Sequence, residues 1–229
     1  MTNIIVAHQP QYFPYLGIYN KILKSNNFVI LDDVQFKNSA WHARTIIKNH
    51  EDNIIQLTIP CSKTKSSSKN IKEIQIADNK WKIKHLKIIE NVYKNTKNFN
   101  DIYKIIYDVI SIKSNYLVDY TIPSVIKFLD KLDYPRDKIF IQSEERAIIG
   151  TKNDFLINLT KRFNGDIYLS GTGGENYIDE KKFLDNKIDH KFNDFKHPLY
   201  YQVGGEFIPK LSIIDAAFNI GIKELKILI

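Results

Sequence analysis

The sequence predicts an α/β fold: an open, mainly parallel sheet with flanking helices and a mostly helical middle segment. Two observations carry that prediction. Short apolar runs of strand length alternate with stretches whose apolar residues recur at helical spacing. The segment from about 78 to 132 is helical in pattern throughout, which reads as an insertion within a single α/β domain spanning 1–229.

The elements follow in order. Ile4–Ala7 is a compact apolar run, as is Phe28–Leu31, and such runs suit strands covered on both faces. Between them, Leu16, Tyr19, Ile22 and Leu23 mark a helix over 16–24. A third strand is expected over Ile54–Ile59. The Ser- and Lys-rich stretch Ser62–Lys72 reads as a mobile, exposed loop. Asp78 caps a helix over Asn79–Lys97 that carries Trp81, Leu86, Ile89 and Tyr93 on one side. Two more helices are expected over Asp101–Ile112 and Asn115–Leu132. Lys138–Ile141 and Ile167–Leu169 are strands, with a helix after Thr151 between them. The tail, Leu211–Leu228, reads as one or two short helices broken near Gly221.

Composition narrows the function. With 229 residues, 43% of them hydrophobic, the chain can bury a substantial core. No run of apolar residues is long enough to span a bilayer, so no integral membrane association is expected. Cys61 is the one cysteine and has no internal partner, which favours a reducing cytoplasm. The net charge is +7, yet only Arg44, Arg136, Arg146 and Arg162 are arginines, and the lysines are scattered along the chain. That pattern argues against a nucleic-acid partner and is compatible with modest attraction for anionic small molecules.

Four clusters carry candidate chemistry. In the first, a right-handed crossover makes the strands at 4–7 and 28–31 parallel, so their C-terminal ends share one edge of the sheet. His8 and Gln9 then face Asp32, Asp33 and Gln35, and Tyr12 in the following loop is a candidate substrate-binding residue. No metal motif is complete there. The second cluster is Ser170, Gly171, Thr172, Gly173 and Gly174, a glycine-rich turn after a strand, followed by Tyr177. Backbone N–H groups in such a turn cradle anions. Ser170 has no base adjacent in sequence, so a serine nucleophile is not expected. The third is His197 and Tyr200, an imidazole and an aromatic ring able to line a base or sugar. The fourth is Trp41, Arg44 and Lys48, in which Arg44 is a candidate phosphate or carboxylate clamp.

Taken together, "HQPQYFPYLG", "FVILDDVQF", "W…R…IK", "YLSGTGG…YID" and "HPLYYQ…FIPKLSIID" resemble the WbqC-like protein family over nearly the whole chain, from about Asn3 to Gly221. The resemblance implies a role in bacterial surface-polysaccharide (O-antigen) biosynthesis, with a nucleotide-linked sugar as partner. Thr45-Ile46-Ile47 is more apolar than the family's pattern at that point. A second resemblance covers only the first strand, loop, helix and strand, which look like those of adenylate-forming and nucleotidylyl-transferring enzymes such as pantothenate synthetase. Here Tyr12 and Tyr15 stand where a second histidine would be.

The expected activity is therefore transfer of an acyl or aminoacyl group to the amine of a nucleotide-linked amino sugar, drawing on ATP or an activated acyl donor. His8 is the expected base and Asp32 or Asp33 its orienting carboxylate. The Ser170–Gly174 turn, Arg44 and Lys48 would hold the diphosphate. The competing readings are a non-catalytic sugar-nucleotide-binding module and a nucleotidylyl transferase.

Overall fold

The computed structural model describes residues 2–38, 40–62, 69–175 and 178–229. They form two compact units, each assembled from separate stretches of chain. The first comprises Met1–Gln9, Gly17–Asp32 and Tyr134–Lys196, and the second Pro10–Leu16, Asp33–Asp133 and His197–Ile229.

The first unit is the open parallel sheet. Its strands are β1 (Ile4–His8), β2 (Asn27–Ile30), β5 (Ile139–Ile141), β6 (Ile167–Ser170) and β7 (Asp189–Phe192). They lie in the order β5-β2-β1-β6-β7, and every pair is parallel. The helices α1 (Leu16–Leu23), α5 (Lys152–Arg162) and α6 (Glu180–Asp185) accompany them. Ile5, Val6, Phe28, Val29 and all four residues of β6 are buried, as central parallel strands covered on both faces require. The turn into β6 needs Gly165, where a Cβ would stand 2.3 Å from Ile5 Cγ1.

In chain order the five strands of this sheet lie 3-2-1-4-5. Their order reverses between β1 and β6, the switch point at which open α/β sheets take ligands outside the carboxyl ends of the strands. The β1–β2 ladder runs to His8–Ile30, but the β1–β6 ladder stops at Ile5–Tyr168. The two strand ends flanking the reversal are not zipped together.

The second unit holds an antiparallel hairpin, β3 (Arg44–Lys48) with β4 (Ile54–Thr58), and four helices. These are α2 (Lys80–Tyr93), α3 (Phe99–Ile110), α4 (Val118–Lys131) and α7 (Ile213–Leu228). The helix α3 packs on α2, α4 and α7. Its aromatic core includes Tyr93 stacked on Phe218 at 4.4 Å. Asp215 sits fully buried between two hydroxyls, accepting from Tyr93 at 2.6 Å and Tyr200 at 2.9 Å. The helical block expected at 78–132 belongs to this unit.

Several local expectations change. Strands β3 and β7 were not expected. The 62–72 stretch is only partly the exposed loop foreseen. Residues 63–68 lie outside the described residues, while Lys69 O accepts from Phe36 N, Asn70 bridges Gln35, and Ile71 is fully buried.

Candidate active site

Strand β1 ends in His8, half-buried at the C-terminal edge of the sheet. Its Nδ1 lies 3.4 Å from Lys21 Nζ, which also donates to Ala7 O at 3.2 Å. Lys21 comes from α1 and is only 3% exposed. Burial lowers its pKa to about 8, so it is still an ammonium at neutral pH. An ammonium has no lone pair, so His8 Nδ1 must be the acceptor. The ring of His8 then carries its proton on Nε2. In that tautomer Nε2, a buried atom, is the ring's donor. Lys21 itself was missed; its one signal is a charge set within the apolar pattern of α1.

Asp32 reaches the same edge, with Leu31 N donating to His8 O at 2.9 Å just before it. Its carboxylate is committed elsewhere. It accepts from Ser143 N at 3.0 Å and Ser143 Oγ at 2.5 Å, beyond β5, and it is buried. Asp32 thus ties down the turn after β5 and does not face His8 as the expected orienting carboxylate.

Across the unzipped end of β1 lies the glycine turn. Extending the Ile5–Tyr168 register brings Ala7 level with Ser170 and His8 level with Gly171. Gln9, half-buried, follows at the same edge. Thr172–Gly174 form one short 3₁₀ turn, in which Thr172 and Gly173 are exposed. Cβ atoms built on Gly171 and Gly173 would meet nothing within 4 Å. The turn therefore presents bare backbone with open space above it. Ser170 Oγ is not alone: His190 Nε2 on β7 stands 2.8 Å away, a base that sequence adjacency could not reveal. Tyr177 lies outside the described residues.

The remaining expected site residues belong to the second unit. Tyr12 is fully buried, its hydroxyl 3.2 Å from His85 Nδ1. Burial lowers the His85 pKa to about 4, so that pair is neutral core. Lys48 is fully buried and donates to Asp52 Oδ1 at 2.6 Å and to Glu206 O. It fastens a loop, and its ammonium is spent there rather than on a diphosphate. Asp33 pairs with Lys72 at 2.9 Å and accepts from Asn70 Nδ2 at 2.8 Å. Gln35 is exposed and bridges to Asn70. Tyr200 donates to Asp215 and is buried. His197 stacks on the Tyr200 ring at 6.1 Å, its Nδ1 3.0 Å from Pro198 O.

Arg44 is hydrogen-bonded through two of its nitrogens. It lines a cleft of about 480 Å³ with Phe36, Asn38, Ala43 and Cys61. Its Nε donates to Ala40 O at 3.1 Å and one terminal nitrogen donates to Asn38 O. A guanidinium has five N–H donors, so these bonds orient the group without exhausting it. Trp41 lies under the cation at 5.8 Å. Burial raises the Cys61 thiol to about 11, well away from a reactive thiolate. Among the described residues, no three His, Cys, Asp or Glu side chains converge as a metal site, and no helix is long and apolar enough to cross a membrane.

The chain is similar to an uncharacterised protein, Rv1507c, of Mycobacterium tuberculosis (strain ATCC 25618 / H37Rv). The two are 25% identical over 222 residues, covering 93% of this chain and 92% of that one. No solved structure matches it significantly. The sequence profile of one family extends over residues 9–227, almost the entire length, and the chain therefore belongs to the WbqC-like protein family.

Proposed function

We propose that this protein is a cytoplasmic enzyme of polysaccharide biosynthesis that binds a nucleotide-linked amino sugar at the β1–β6 edge and transfers an acyl or aminoacyl group to its amine. The observation that supports this reading most is the sheet order. The reversal between β1 and β6 sets His8, Gln9 and the bare backbone of Gly171 and Gly173 at the position where parallel sheets of this order bind nucleotides. Bare backbone there allows close approach of a diphosphate. His8, with its proton on Nε2, is the donor to a phosphate or carbonyl oxygen in this reading, and Lys21 behind it holds Nδ1 as the acceptor.

The test is an assay of the purified protein with nucleoside-diphosphate amino sugars and either ATP plus an amino acid or an acyl thioester, read by mass spectrometry. The expected product is the sugar amide. His8→Ala should lower turnover by roughly 10²–10³-fold, the cost of one positioned donor. His8→Gln, whose amide N–H stands near the position of Nε2–H, should recover a large part of that loss. A His8→Gln variant as inactive as His8→Ala would instead make His8 a proton acceptor. Pyrophosphate release with no amide would mean nucleotidylyl transfer, and sugar-nucleotide binding without turnover would mean a binding module.

A further inference from the structure

Ser170, His190 and Glu180 make a second arrangement in the first unit that the reading above does not use. Tyr168 pairs with His190 and Ser170 with Phe192, so all four side chains stand on one face of the sheet. That register delivers Ser170 Oγ to His190 Nε2 at 2.8 Å. The other ring nitrogen, Nδ1, is buried and has no hydrogen-bond partner among the described residues. The Glu180 carboxylate, from the first residue of α6, stands 3.6 Å from it. That distance is ion-pair reach but longer than a hydrogen bond. The rings of Phe192, Phe183 and Tyr168 wall the imidazole at 4.5, 5.2 and 6.2 Å.

A purely structural role explains this poorly. An apolar ring at 190 would fill the aromatic pocket without leaving a buried N–H unpaired, which costs about 1–3 kcal/mol. Close packing also needs glycine beside the hydroxyl. A Cβ on residue 174 would crowd Ser170 Oγ at 3.2 Å and Ile178 Cγ1 at 3.3 Å, so glycine there leaves the hydroxyl its bond to His190.

We propose that Ser170, His190 and Glu180 form a nucleophilic triad in which Ser170 carries the acyl group as a seryl ester. Ser170 is the nucleophile, His190 the base, and Glu180 a positioning residue for the imidazole. With an acyl thioester as donor, Ser170 Oγ attacks the carbonyl carbon and its proton passes to His190 Nε2. The C–S bond breaks, and the thiolate leaves as a thiol with that proton. In the second half-reaction the amine attacks the ester carbon and gives up a proton to His190. The C–O bond to Ser170 breaks, the serine regains the proton, and an amide is released. The second half-reaction rests on the acyl-transfer reading; the first needs no sugar.

The experiment treats the full chain with p-nitrophenyl acetate and, separately, with diisopropyl fluorophosphate, and maps adducts by peptide mass spectrometry. One adduct on Ser170 is expected in the wild type. Ser170→Ala, a small change that leaves the pocket intact, should abolish it. His190→Gln should slow its formation at least about a hundredfold. Glu180→Gln should shift the acid limb of labelling to lower pH. Burial already holds His190 below the ordinary imidazole range, and the Glu180 and Asp189 carboxylates are the charges that oppose this. A structural Glu180 would leave the pH profile in place. No Ser170 adduct on folded wild-type protein, or labelling indifferent to His190→Gln, overturns the triad. Amide formation by Ser170→Ala would overturn the triad and leave acyl transfer standing. A Ser170 adduct without any sugar amide would do the reverse.

Discussion

Lys21 shows how one buried charge sets the chemistry of its neighbour. Its ammonium is 3% exposed and is held by Ala7 O and His8 Nδ1. Its folded-state pKa of about 8 lies below the ordinary 10.5. Between those values the unfolded chain binds more protons than the folded one, so stability rises with pH across that window. Lys21→Met should remove this rise, which amounts to about 3 kcal/mol when the full shift is converted. Urea unfolding at pH 7.5 and pH 10 measures it as a difference between variant and wild type. An equal pH dependence in both proteins would contradict the assignment. In the sequence Lys21 is one lysine among many, marked only by its place within the apolar pattern of α1. His8 was legible because it ends an apolar run, but the tautomer that decides its role depends on a side chain thirteen positions away.

At the level of elements, α7 carries a break that its neighbours enforce. Gly221 has φ 78° and ψ 166° inside the helix, a backbone region almost confined to glycine. A Cβ there would also lie 2.7 Å from Asn98 Oδ1. Gly221→Ala should therefore cost about 2–3 kcal/mol and lower the melting temperature by roughly 5–10 °C. Calorimetry of the variant checks this, and an unchanged melting temperature would contradict it. The break near Gly221 was readable from the sequence because glycine interrupts an apolar helical pattern. The central strands β1, β2 and β6 were readable for a similar reason: strands buried on both faces are written as unbroken apolar runs. Strand β7 was not, since Asp-His-Lys-Phe is short, charged and lies at the sheet edge. Missing it hid His190 and, with it, the base beside Ser170. Strand β3 was missed because Arg44 and Lys48 are expected at a diphosphate site, whereas Lys48 is fully buried against Asp52 and Glu206 O. The loop after β1 misled in the opposite direction. Its Tyr12 is expected at the site beside His8 and Gln9, yet it is fully buried in the second unit.

Over the whole molecule, the parallel sheet is assembled from segments far apart in sequence. Strands β1 and β2 lie before residue 33 and β5, β6 and β7 after residue 134, with the second unit's longest segment between. Strand order is therefore a long-range property, and the sequence reading foresaw parallel strands without foreseeing where their order reverses. That is why it turned His8 toward Asp32 when the open edge lies toward Gly171. The central claim is that this edge binds a nucleotide-linked sugar, and Gly171 offers a clean probe of it. Its backbone is φ −79° and ψ 161°, ordinary for any residue, and a Cβ would touch nothing within 4 Å. Gly171→Leu should fold as the wild type does while filling the space above the turn. Isothermal titration of nucleoside-diphosphate amino sugars into both proteins, with melting temperatures measured alongside, is the most direct test. The account predicts equal melting temperatures and an affinity at least about tenfold weaker in the variant, a difference of about 1.4 kcal/mol. Equal affinity in both proteins, or no sugar-nucleotide binding by the wild type, would contradict it.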